Sequence, residues 1–137
     1  MRTERHIAAL LLLGIAVIHA VETPSQLDEA PYLGVLFVAL AVGSVLVALV
    51  LMRGSWSPAW GAGVTLAGLT LIGYVLSRTV GLPSADDDIG NWGDPPGLAS
   101  MALEALMVAV GSGVLVGRDR RERAQRPAGR YTAAPTA

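Results

Sequence analysis

Four long apolar runs, each closed off by a short polar break, fill most of the chain; they cover about residues 6–22, 31–52, 58–80 and 97–117. A helix rises about 1.5 Å per residue, so about 20 apolar residues cross a hydrocarbon core about 30 Å thick. Each run therefore predicts one membrane-spanning helix, and the fold class is an all-α four-transmembrane-helix bundle. The first run, Ile7 to Val21, is interrupted only by Gly14 and His19 and is the shortest. A cleaved signal peptide is its rival reading, although Ile18 and Ala20 fit a small-residue cleavage site poorly.

The breaks carry punctuation. Thr23 to Ala30 reads as a polar, acidic loop, after which Pro31 opens the second helix, where its missing N–H costs nothing. Arg53, Gly54 and Ser55 predict a tight turn, with Ser57 and Pro58 as N-cap and first-turn residue of the third helix. The longest connection, Gly81 to Gly97, holds Asp86, Asp87, Asp88, Asn91 and Asp94, and Asp94 or Pro95 opens the fourth helix. Residues 1–117 thus form the membrane domain. Residues 118–137 read as a basic cytoplasmic tail that is expected to be disordered, its Ala/Pro/Thr end above all.

Composition agrees: 53% of the 137 residues are hydrophobic and only 15% charged, against about 25% charged in soluble domains. There is no cysteine, which excludes disulfides, thiolate nucleophiles and Cys-ligated metal centres. The net charge of -1 says little, but its distribution orients the chain. Every basic residue is Arg, and Arg2, Arg5, Arg53 and the six arginines from Arg118 to Arg130 fall on one side, with Arg78 the exception. The opposite connections are acidic. Arginine excess marks cytoplasmic segments, so both termini are expected in the cytoplasm of a multi-pass cell-membrane protein. Trp56, Trp60, Tyr32 and Trp92 fall near the expected interfaces.

Helices in lipid associate through close backbone approach and polar contacts. Gly34 and Gly43, Gly61 to Gly73, and Gly111, Gly113 and Gly117 are the candidate seams. The candidate chemistry lies in ionisable residues placed at a shared depth: His19 and Glu22 near the end of the first helix, Tyr74 and Arg78 near the end of the third, and Glu104 about 10 Å into the fourth. A charge facing lipid costs about 2.5–3.5 kcal/mol, so Glu104 is expected to face inward with Arg78 or His19 as partner. The five residues either line a site for a cation, proton or small polar ligand, or form a structural ion pair with a helix-bonding histidine. A bis-His site is disfavoured, because about 20 Å of helix separates His6 from His19. The acidic connection lacks EF-hand order, with Gly97 where a closing Glu would stand. No nucleophile–base constellation, phosphate loop or dinucleotide fingerprint is present.

The stretch Tyr74 to Pro83, the acidic connection and Gly97 to Glu104, with His19 before an acidic loop and the run Tyr32 to Phe37, resembles a group of small four-span membrane proteins of actinobacteria. The likeness covers most of residues 15–106. It implies the fold and supplies no mechanism. Members commonly carry a second histidine in the first outer loop, where this chain has Gln26, which counts against a metal site.

The leading expectation is a non-enzymatic accessory or scaffold protein that needs no cofactor. Its partners would be the lipid bilayer and either a second copy of itself or a larger membrane complex, with no nucleic acid. The alternative is a small transporter or sensor for a cation or proton built on His19, Glu22, Arg78 and Glu104. The topology is directly testable: a tag on either terminus should stay unlabelled in intact cells, and a tag inserted between Asp86 and Asp94 should be labelled from outside.

Overall fold

A computed structural model describes residues 2–54 and 56–126. They form four helices, α1 (Arg2–Glu29), α2 (Pro31–Arg53), α3 (Ser57–Thr79) and α4 (Pro95–Gln125), with no strands among the described residues. Each is long and apolar enough to cross a membrane. In lipid every backbone N–H and C=O must be satisfied within the protein, which a helix does along its own length. The chain is an all-α, multi-pass membrane bundle.

Short connections make neighbours antiparallel. Successive helices pack around a ring, α1 most extensively on α2 and α3 on α4; α4 closes onto α1, and the α2–α3 seam is the loosest of the four. The packed core lies at the arginine-rich end. Leu12 and Ile15 from α1, Leu51 from α2, Trp60 from α3 and Met107 from α4 are all essentially inaccessible there. Trp60 is therefore a core residue at 1% exposure rather than an interfacial one, whereas Trp56 and Trp92 are exposed. At the same end Arg118 donates to the Ser57 hydroxyl at 2.6 Å, joining α3 to α4. Ser57 is consequently the first residue of α3 and not its cap; Trp56 holds that position.

Two segments expected to be irregular are helical. Residues 23–29 continue α1 past Pro24. Proline removes only the N–H that would serve the Ala20 carbonyl, and the neighbouring hydroxyls bond within the helix: Thr23 donates to the His19 carbonyl at 2.7 Å and Ser25 to the Glu22 carbonyl at 2.8 Å. The extra turns reach α2, where Leu27 packs on Gly34 next to a small second core of Ala30, Leu33 and Ala85 at the acidic end. Residues 118–125 likewise extend α4, beyond the expected end at residue 117. Arg123 and Asp119 pair there at 2.9 Å, a helix-favouring i, i+4 spacing. The remainder of the expected tail, 127–137, and Ser55 lie outside the described residues.

Only some of the glycines serve as seams. A Cβ on Gly111 would collide with the Val64 side chain, and one on Gly63 would come within 2.7 Å of the Met107 methyl. Gly61, Gly68, Gly73, Gly113 and Gly117 would meet nothing. Val64 is β-branched and stiff, so the α3–α4 approach at Gly111 has little slack. Gly111→Leu should therefore lower the unfolding midpoint in detergent, at a cost of about 1–3 kcal/mol from overpacking. Gly113→Leu, which shares the propensity change, should leave it unlowered.

Candidate functional site

The half of the bundle nearest the acidic connections is hollow. A cavity of about 590 Å³ lies between all four helices and is roofed by the 80–94 connection. It reaches from Pro83, Asp88 and Asp94 down to Thr70 and Glu104. Every residue singled out from the sequence lines it: His19, Glu22, Tyr74, Arg78 and Glu104.

Of the two partners expected for Glu104, the structure brings His19 beside it and sends Arg78 elsewhere. Arg78 does not reach Glu104. Its guanidinium is buried at 6% exposure and pairs with Asp88 through Nη1 and with Asp94 through Nη2, the latter at 3.5 Å. It also lies 4.8 Å from the centroid of the Tyr74 ring, close enough for a cation–π contact. Tyr74 in turn meets Trp92 edge-on, at 6.1 Å between centroids. The roof is thus fastened to α3 by charge and ring contacts, and Gly90 adds a backbone N–H to the Arg78 carbonyl at 2.9 Å.

Local geometry explains how the connection reaches back. Gly81 takes φ +81° just past α3, a conformation glycine adopts at no steric cost, and its N–H closes onto the Leu76 carbonyl at 3.0 Å. Tyr32 at the head of α2 donates to the Pro83 carbonyl at 2.8 Å, which ties the roof to the opposite wall. Asp94 caps α4 by accepting from the Gly97 N–H at 2.9 Å while also pairing with Arg78. Gly97 is required there: a Cβ would sit 2.6 Å from the Tyr74 ring.

With Arg78 engaged above, Glu104 stands alone on the cavity floor at 1% exposure. Ser100, one turn earlier on α4, donates to Glu104 Oε1 at 2.7 Å. The Nε2 of His19 faces the same oxygen at 3.9 Å, too far for a direct hydrogen bond. The other ring nitrogen, Nδ1, lies 2.9 Å from the Ile15 carbonyl. A carbonyl can only accept, so Nδ1 carries hydrogen, and in the neutral ring Nε2 is a lone pair aimed at the carboxyl group. An ionised Glu104 and a neutral His19 would be two acceptors facing each other. A proton on one member, or a cation beside them, would convert that opposition into an attraction.

The surroundings favour positive charge. Five carboxyl groups line the cavity (Glu22, Glu29, Asp88, Asp94 and Glu104) against the single guanidinium of Arg78. Tyr32, Tyr74 and His19 are its other titratable groups, and α2 contributes no charge. Among the described residues no three His, Asp or Glu side chains converge to hold a metal ion. The sequence reading did not single out Phe37, whose ring lies 4.7 Å from that of His19, or Ser100. The i, i+4 spacing of Ser100 and Glu104 was the available signal for the latter.

No protein-family model matches the chain, and neither does any curated protein or solved structure.

Removing the buried guanidinium should release the roof while sparing the bundle. In Arg78→Gln, the amides of Ala85, Ile89 and Gly90 should exchange roughly ten- to a hundredfold faster, matching about 1.5–3 kcal/mol for charge-assisted hydrogen bonds. Hydrogen-exchange mass spectrometry of the detergent-solubilised protein reads this, with the amides of α1 near Leu12 as the unchanged reference.

Proposed function

We propose that this is a small cell-membrane protein, with both termini in the cytoplasm, that binds a cation at the Glu104–His19 pair and releases a proton in exchange. The observation carrying this reading is the setting of Glu104: a deep carboxyl group on a cavity floor, bonded by Ser100, with an imidazole nitrogen opposite and no Arg pairing with it among the described residues. Ionisable groups at membrane depth point to function when they line such a cavity. A purely structural role would be met by a closed Glu104–Arg78 pair, but Arg78 is committed to Asp88 and Asp94. Arginine asymmetry supports placing the cavity on the external side. The exchange balances: with the site empty of other cations, one proton is held by Glu104 or by His19 Nε2; a bound cation supplies that charge, and the proton leaves to solvent. Such an exchange is the shared first step of a transporter and of a sensor.

Titration of the protein in lipid nanodiscs tests the reading. Sodium, potassium, calcium and tetramethylammonium chlorides, added in weak buffer with a pH indicator, should include at least one salt that releases about one proton per chain. The cation competes with protons for a carboxylate, so its apparent affinity should fall as pH falls, by about tenfold per unit once the site is protonated. Glu104→Gln should release none while unfolding at a similar temperature. Absence of release with every cation tried here and in the amphiphile titrations below, with Glu104→Gln altering only stability or assembly, would return the protein to the scaffold reading.

A further inference from the structure

The cavity wall includes large apolar side chains that the bundle leaves exposed. Leu36 of α2 and Leu69 of α3 both line it, yet they are 57% and 63% exposed. Neither is covered by a neighbouring helix over most of its surface. They flank the α2–α3 seam, the loosest of the ring. Leu69 is about 15 Å along α3 from its end at Thr79, a depth occupied by acyl chains and not by water. Beside this gap Gly73 lines the cavity with no atom near the position of a Cβ.

We infer that the cation of the proposed exchange is an amphipathic organic monocation that enters from the lipid between α2 and α3. This rests on the cation–proton reading of Glu104 and specifies its ligand. Size comes first: about 590 Å³ is a volume suited to an organic molecule, far beyond a bare metal ion. Donor chemistry comes second. Hard metal cations take about six to eight oxygen ligands, and here the floor offers one carboxyl group with the Ser100 hydroxyl. An alkylammonium head needs only a single carboxylate and aromatic faces, which Glu104 and Phe37 provide. Its apolar body would then lie along Leu36 and Leu69 toward the bilayer. One deep carboxylate with one exchangeable proton matches one positive charge.

The test compares dodecyltrimethylammonium with tetramethylammonium, which share a head and differ in the tail, in the nanodisc proton-release titration. The tailed cation should release a Glu104-dependent proton at a bilayer mole fraction well below the level at which nanodiscs disperse. Gly73→Phe places a ring in the cavity beside the gap, from a position where a Cβ meets no atom. It should raise the midpoint for the tailed cation by about tenfold or more and leave that for tetramethylammonium within about twofold. Leu69→Trp, at the mouth of the gap, should act in the same direction and serves if Gly73→Phe fails to fold. Suppose a small cation releases the Glu104 proton, but the tailed one does not, or its midpoint is unmoved by the folded variants. Then lateral access by an amphiphile is wrong while the cation–proton reading stands. No release by any cation overturns both.

Discussion

The engagement of Arg78 with Asp88 and Asp94 decides the character of the molecule's hollow half. A guanidinium beneath a membrane surface must find negative charge inside the protein, and two candidates existed: the deep Glu104, or the acidic connection above. The connection takes it, helped by the turn at Gly81 and by the cap that Asp94 places on α4. Two results follow from this single choice. The residues between α3 and α4 are drawn down into a roof, and Glu104 is left with only a hydroxyl and an imidazole. Had the guanidinium gone down, the roof would lose its ion pairs, keeping the Tyr32 and Gly90 hydrogen bonds, and the floor would be neutralised.

The imidazole is held equally firmly. Donation from Nδ1 to the Ile15 carbonyl fixes which nitrogen faces the carboxyl group, and Phe37 braces the ring from α2. Glu104 and His19 thus come from α4 and α1, two helices that meet directly, while the gap lies on the far side between α2 and α3. The polar floor and the apolar wall face one another across the cavity, which is the arrangement an amphiphile requires.

Much of this was legible in the residues. Apolar length and proline position located all four helices, because bilayer thickness and the missing proline N–H are strong, local constraints. Depth counting brought His19, Glu22, Tyr74, Arg78 and Glu104 to one level, and they share one cavity. What failed to show was anything decided by competition between distant groups. The sequence offers Arg78 several carboxylates and cannot rank them, since the ranking depends on how the 80–94 connection folds back. Residues 23–29 read as a loop because polarity and Pro24 outweigh helix propensity locally; the contact of Leu27 with Gly34, beside the small core around Ala30, reverses that balance. Trp60 resembles Trp56 in sequence, but it lies inside α3 on a face that turns inward, whereas Trp56 precedes the helix as its cap. For the same reason Gly111 is a contact and Gly113 is not.

The division between a densely packed end and a hollow one separates two burdens that most small domains carry on the same residues. Leu12, Ile15, Leu51, Trp60 and Met107 hold the bundle together at one end, and none of them lines the cavity. Side chains such as Leu36, Leu69 or Phe37 can then change during evolution without loosening the scaffold that presents them. A lineage could retune what the chamber accepts by drift at a handful of positions, keeping an identical skeleton throughout.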